Sequence, residues 1–272
     1  MYIPKGGVAF FDSGVGGLTV LDSCRKLLPN ECFYYYGDNA NAPYGNRPTW
    51  EIKQFVERAF ALFQQLNACA CVIACNTVTA VCIEELRKEY AFPIIGAEPA
   101  VLPAFKLCQK VLVLATKTTR QSNRFLRLQE RAQRTFPSVS VEIGICDELA
   151  GIIEQGIERG KLDVTPYLPK TKADAVVLGC THYVYAKKQI QDFYACPVFD
   201  GNDGIANRLV TLLREKTPQD RDRQPLVTPM KAERENGANF EVFQGKKEGA
   251  IFFLGSGKTK NKTIYERMFA IP

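Results

Sequence analysis

Short apolar runs alternate with stretches whose apolar residues recur at helical spacing along nearly the whole chain, and few folds accommodate that alternation. Each run and its following stretch read as a βα unit. A series of such units buries its strands only around a mainly parallel sheet flanked by helices. Residues 7–11 read as a first strand, followed by a glycine-rich turn at 12–17 and a helix over 18–28 that Pro29 stops. A strand over 33–36 precedes the clearest helix, in which Ile52, Phe55, Val56, Ala59, Phe60, Phe63 and Leu66 share one face behind Pro48 and Thr49. A strand at 71–74, a helix over 77–90 and a strand at 93–97 close a first group of units.

A second group follows, with strands at 110–115, 139–145, 175–178 and 197–199. Helices are expected over 119–134 and 152–158, beyond His182, and over 205–213. Residues 214–239 turn charged and proline-containing and read as an irregular excursion, before two late strands at 240–243 and 251–254. At about 150 residues per domain, 272 residues make roughly two domains with ample core. No apolar run approaches the ~18 residues of a membrane span, and residues 1–7 show no secretory pattern, so a cytoplasmic protein is expected.

One internal echo narrows the reading further. Ala70-Cys-Val-Ile-Ala-Cys75-Asn-Thr77 and Ala175-Val-Val-Leu-Gly-Cys180-Thr-His182 are both apolar strands ending in a small residue, a cysteine and helix-capping polar residues. They suggest two similar parallel-sheet βα domains, each presenting a cysteine at the carboxyl end of a strand. Open α/β sheets bind ligands there. A thiol at a helix N-terminus also lies near unsatisfied N–H groups and the positive end of the helix dipole. Both are expected to lower its pKa below the usual ~8.5. The plainer reading, a small buried hydrophobe, suits Cys24, Cys32, Cys69, Cys71, Cys82, Cys108 and Cys196. Cys75 and Cys180 differ because polar residues follow each at once.

Two facing thiols, one charged and one protonated, form a two-base proton exchanger. One removes a proton from a carbon while the other delivers a proton to the opposite face. Such symmetry suits a racemase, whose substrate and product are mirror images. An α-carbon is a very weak acid, so the site must also stabilise the carbanion and exclude water.

Phe11-Asp-Ser-Gly-Val-Gly-Gly-Leu-Thr-Val20, Tyr36-Gly-Asp-Asn-Ala-Asn-Ala-Pro-Tyr-Gly45, Ala74-Cys-Asn-Thr77 and Leu178-Gly-Cys-Thr-His-Tyr183 resemble, in order and spacing, the signature segments of the glutamate racemases, within the aspartate/glutamate racemase superfamily. The resemblance covers roughly residues 6–210. It implies a cofactor-independent enzyme that interconverts L- and D-glutamate for peptidoglycan, usually as a homodimer. It implies two α/β domains with the active site in the cleft between them, 1–97 plus 208–272 forming the first and 98–207 the second. By position, Cys75 and Cys180 are the catalytic bases, with Asp12, His182 and Glu154 assisting them. Ser13, Tyr44, Gly45, Asn76, Thr77 and Thr181, together with Asp12 and His182, would hold the substrate. Three departures stand out, the first being that the charged stretch 214–239 has no counterpart in the family pattern. Cys146-Asp-Glu-Leu-Ala-Gly151 precedes Glu154 where the family often has a Cys-Pro-led stretch, and Val184-Tyr185 replaces the usual Pro-Leu.

Other classes fare less well. A net charge of +6 is mild for a nucleic-acid binder, and no nucleic-acid or membrane partner is expected. With one histidine and no CxxC pair, a metal site is not expected, although Cys69, Cys71 and Cys75 could in principle ligate one. Ten cysteines in a chain of this size without an export signal read as thiols. The 12–17 turn does not match GxGxxG, and Gly255-Ser-Gly-Lys-Thr259 lacks the first glycine of a phosphate loop. Arg120, Arg124, Arg127, Arg131 and Arg134 form a basic stripe that reads first as a solvated helix face. A racemase of another carbon acid, a binding protein on the same fold and a thiol redox protein stay open. The lack of a close cysteine pair weighs against the last.

Overall fold

The computed structural model describes residues 5–215, 238–244, 249–256 and 260–269. The expected alternation appears as two parallel sheets. The first has six strands: β1 (Val8–Asp12), β2 (Phe33–Gly37), β3 (Ala70–Ile73), β4 (Ile94–Gly96), β9 (Ala238–Gln244) and β10 (Ala250–Ser256). Their order is β4-β3-β1-β2-β10-β9, parallel throughout except that β9 runs antiparallel to β10. The second is wholly parallel, in the order β6-β5-β7-β8, from β5 (Lys110–Ala115), β6 (Ser140–Ile145), β7 (Ala175–Leu178) and β8 (Val198–Phe199). The chain therefore completes the second sheet before returning to the first. The fold is α/β with two sheets, as the βα pattern requires.

Burial follows the two-residue period of a strand. In β1, Val8 and Phe10 join one core cluster while Ala9 and Phe11 join another on the opposite face. The helices α1 (Leu18–Leu27), α2 (Thr49–Gln65) and α3 (Asn76–Glu89) cover the first sheet. On α2, Ile52, Val56, Ala59, Phe60 and Phe63 are the buried residues, the face read from their spacing. The cluster containing Val8 and Phe10 also holds Val15, Leu18, Ile153, Tyr183 and Leu209, so one apolar core passes from sheet to sheet.

Two elements depart from expectation. The helix expected over 119–134 is two helices, α5 (Lys117–Gln121) and α6 (Asn123–Thr135). Ser122, in extended conformation, separates them: its Oγ donates to Thr119 O and accepts from Phe125 N–H at 3.1 Å. A serine able to cap both ends outweighed the apolar periodicity that spans it. A further helix, α4 (Val101–Leu107), fills the stretch between the strands at 93–97 and 110–115 that the pattern left without an element; Pro99 precedes it and Pro103 stands in its first turn. Proline is tolerated in a first turn, where its missing N–H would have had no partner.

Beyond Cys180 the chain enters a 3-10 helix, Thr181–Ala186, before α8 (Lys187–Tyr194). The described elements also include the helices α7 (Leu149–Arg159) and α9 (Asn202–Arg214), a 3-10 turn at Thr165–Tyr167 and a C-terminal helix, Asn261–Met268. Of the charged stretch 214–239, residues 216–237 lie outside the described residues, as do 257–259 of the rejected phosphate loop. The basic stripe does not stay on one helix. Arg120 belongs to α5, and Arg124 pairs with Glu84 of α3 and with Glu98, both at 2.6 Å. Arg127, Arg131 and Arg134 are exposed. Among the described residues no helix is long and apolar enough to cross a membrane.

Candidate active site

The carboxyl ends of β1, β3, β5 and β7 converge on one seam between the sheets, where open α/β folds place ligands. Cys75 and Cys180 occupy equivalent positions there. Each is the extended residue that caps the helix following its strand. Cys75 is 5% exposed and Cys180 half-buried, and the two lie near enough for the charge of one to bear on the proton of the other.

Each sulfur has its own partner. Cys75 Sγ lies 3.6 Å from Ser13 Oγ, and Cys180 Sγ lies 3.8 Å from His182 Nδ1. The other ring nitrogen of His182, Nε2, lies 2.8 Å from Glu154 Oε1. Glu154 therefore stands behind the histidine, although a less familiar sequence precedes it. Asp12 Oδ1 accepts from Gly14 N–H at 2.9 Å, and Oδ2 accepts from Thr181 Oγ1 at 3.1 Å across the seam. Thr77 Oγ1 meets Thr116 Oγ1 at 3.2 Å, also from opposite sheets.

The electrostatics correct one expectation. A helix N-terminus was expected to lower the thiol pKa, yet Cys75 is pushed up to about 12. Burial is the largest cause and the nearby Asp12 carboxylate adds to it, outweighing the Val78 amide and Ser13 hydroxyl that favour thiolate. Asp12 is itself raised, first by burial, against the pull of the His182 charge and the bonds from Gly14, Gly17 and Thr181. For His182, burial is the largest influence and acts downward. Together Cys180 and Glu154 overcome it and hold the imidazole well above its usual 6.5. For Glu154 burial is the largest influence and acts upward, but the His182 hydrogen bond and charge, with the Lys260 charge and the Val15 amide, outweigh it and hold the carboxyl below its usual value.

Tyr44 and Gly45, expected to hold substrate, also have partners within the protein. The Tyr44 hydroxyl donates to Asp38 Oδ2 and the ring packs on Phe11 and Phe55. Gly45 O accepts from Thr118 Oγ1 at 2.7 Å, one more link across the seam. Asn76, Thr77 and Thr181 are buried beside the two cysteines. The cavity next to Cys180, lined in part by Val20, Asn76, Ala97, Thr181 and Asn202, measures about 10 Å³, room for about one water. Among the described residues no group of three His, Cys, Asp or Glu is placed to share a metal ion, and all ten cysteines are free thiols.

Sequence reasoning missed the residues that hold the 12–17 loop. Tyr35, read only as strand-forming, donates from its hydroxyl to Gly14 O at 2.9 Å. Tyr185, noted only as a departure, donates to Val15 O at 2.7 Å. Neither has a local motif, because each bond joins segments far apart in the chain.

Comparison with known proteins gives the arrangement its relatives. A family model described as Asp/Glu/Hydantoin racemase matches residues 18–209. A glutamate racemase of Clostridium botulinum (strain Kyoto / Type A2) is 38% identical over 218 residues, 76% of this chain and 83% of that protein. One from Clostridium novyi (strain NT) is 38% identical over 240 residues, 84% and 91% of the two chains. Among solved structures, Escherichia coli glutamate racemase in complex with L-glutamate and the activator UDP-MurNAc-ala superposes with a TM-score of 0.70 at 30% identity. It covers 79% of this chain and 85% of its own. The match extends across most of each protein and includes both strand-end cysteine segments, so the chain belongs to the Asp/Glu/Hydantoin racemase family.

Proposed function

We propose that the chain is a cofactor-independent glutamate racemase working by two-base proton transfer, with Cys75 and Cys180 as the bases. The observation that carries this reading is the pair of strand-end thiols, one from each sheet, meeting at a single seam with separate hydrogen-bond partners. The glutamate racemases among its relatives support the substrate. The division into 1–97 plus 208–272 and 98–207 follows sheet membership, with α9, which spans residue 208, as the shared element.

In one direction the Cys180 sulfur takes the α-proton, breaking the Cα–H bond, and the Cys75 S–H supplies the proton that forms the new bond on the opposite face. Burial keeps Cys75 protonated for that role. His182, held positive by Glu154, faces the Cys180 sulfur with a charged donor while that sulfur acts as base. The reverse direction exchanges the roles. Asp12, Ser13, Tyr44, Gly45, Asn76, Thr77, Thr181 and His182 supply hydroxyls, an amide, main-chain N–H groups and charged side chains for the carboxylates and ammonium. The site is buried and the seam over it is bridged by the Thr181–Asp12, Thr77–Thr116 and Thr118–Gly45 bonds, so in this reading the two sheets' domains part for substrate entry and close over it. The enzyme is proposed to act as a cytoplasmic homodimer, its D-glutamate feeding peptidoglycan.

The test is incubation with L-glutamate in D2O without added cofactor. Deuterium should enter at Cα while the circular-dichroism signal decays to zero. Turnover of aspartate but not glutamate would replace the substrate and keep the chemistry; no exchange with any amino acid would end the reading.

The His182–Glu154 pair makes a pH prediction. Glu154 is ionised below its usual 4.5 and His182 protonated well above 6.5, so the pair spans neutral pH. The glutamate's contribution to stability is lost as pH falls through its lowered folded value. The histidine's is lost as pH rises through its raised one. Glu154→Gln removes an influence that raises His182, so the alkaline limb of the kcat/KM profile should move to lower pH. An unmoved limb would remove Glu154 from the catalytic set.

A further inference from the structure

The loop between β1 and α1 carries Asp12 and Ser13, and its backbone is gripped from both sides. Within the loop, Gly14 N–H reaches Asp12. From the first sheet, Tyr35 holds Gly14 O. From the second, Glu154 Oε1 accepts Val15 N–H at 3.4 Å, and Tyr185 donates to Val15 O, a carbonyl that also accepts Leu18 N–H in the first turn of α1. The approach is close. A methyl at Gly14 would meet Glu154 Oε1 at 2.2 Å, and one at Gly16 would meet His182 N at 2.7 Å. The loop's position therefore depends on where the second sheet's segments lie. Ser13, which touches the Cys75 sulfur, moves with it.

We propose that Tyr185 is a positioning residue that ties closure of the second domain to the 12–17 loop, and through Ser13 to the alignment of Cys75. Among the described residues, Tyr185 is the second-sheet side chain that holds Val15 O, and it does so with a neutral hydroxyl. Burial, with the Asp12 and Glu154 carboxylates adding, keeps that phenol protonated and donating. When the domains part, the bond breaks and the loop loses its second-sheet anchor at α1. When they close, the bond re-forms and sets Ser13 against the thiol. The proposal rests on the racemase reading for its catalytic consequence, whereas the coupling to closure has its own readout.

Tyr185→Phe removes only the hydroxyl. The comparison variant is Tyr194→Phe, which loses a bond of the same 2.7 Å length to a main-chain carbonyl, Pro169 O, within the second-sheet segments and away from the thiols. Two quantities are read in both variants. The first is kcat and KM with each glutamate enantiomer. The second is the rate of Cys75 alkylation by iodoacetamide without substrate, resolved by peptide mass spectrometry. For Tyr185→Phe, kcat should fall about tenfold with KM within twofold, as expected for one lost hydrogen bond that favours the closed state. Enantiomers have an equilibrium constant of one, so kcat/KM must fall equally in both directions. Cys75 alkylation should quicken by up to about tenfold as the open state gains population. Tyr194→Phe should change neither. Wild-type kinetics and alkylation in Tyr185→Phe, or equal changes in both variants, overturn the proposal. A wild-type protein that leaves glutamate unchanged overturns the function instead, and alkylation still judges the coupling.

Discussion

Cys75→Ala and Cys180→Ala are each expected to lose glutamate racemisation by at least about 10³-fold while remaining folded, since inversion needs a proton acceptor on one face of Cα and a donor on the other. Each change removes one sulfur from a strand-end position and leaves the hydrogen bonds between main-chain groups in place. The residual chemistry separates the two-thiol reading from general damage. With Cys75 gone, Cys180 can still take the α-proton of the enantiomer that faces it and return a solvent deuteron from the same side. Cys75→Ala should therefore exchange the α-hydrogen of one enantiomer with retention, and Cys180→Ala that of the other. Proton NMR in D2O measures the exchange and polarimetry the inversion. Ordinary turnover by either variant would defeat the assignment, and loss of exchange for both enantiomers in both variants would point to collapse of the site.

Gly16→Ala is the next largest effect expected, and it tests the seam rather than the chemistry. The added methyl would stand 2.4 Å from Thr181 Oγ1, 2.6 Å from His182 Nδ1 and 2.7 Å from His182 N. The hydroxyl can rotate away, but the main-chain nitrogen cannot, so the loop and the second domain must separate. That separation breaks the Thr181–Asp12 bond and shifts His182 relative to Cys180. Displacements near 1 Å at reacting groups cost about 10²-fold in rate, and overpacking a filled site costs about 1–3 kcal/mol of stability. Activity about 10²-fold down with a lower melting temperature is the expected result. Gly204→Ala, in α9 with nothing within 4 Å of its added methyl, should keep full activity and gain stability by about 0.5–1 kcal/mol. Wild-type rates in Gly16→Ala would mean that catalysis does not use this closed seam.

Much of this molecule was legible in residue order. The βα alternation announces itself locally, because strand and helix periods are properties of neighbouring residues. Strands 110–115 and 175–178 were bounded as the structure has them. The repeated strand–cysteine segments put both thiols at equivalent strand ends before any packing was known. The break at Ser122 was less legible, since one capping side chain overrode a continuous apolar stripe. The helix at Val101–Leu107 was less legible, being only seven residues long with Pro103 in its first turn, where a proline does no harm.

Residue order alone thus determined the sheets' elements, the two cysteines at their ends and the glycine-rich loop, all of which follow from short-range pattern. Only the tertiary structure decided the protonation of Cys75, because helix-end dipoles act locally whereas desolvation sums over everything packed around the sulfur. It also decided that Glu154 backs His182 and that Tyr185 reaches Val15, contacts between residues 28 and 170 positions apart. Such pairs leave no periodic trace in the chain, since their geometry exists only once two separately built sheets meet.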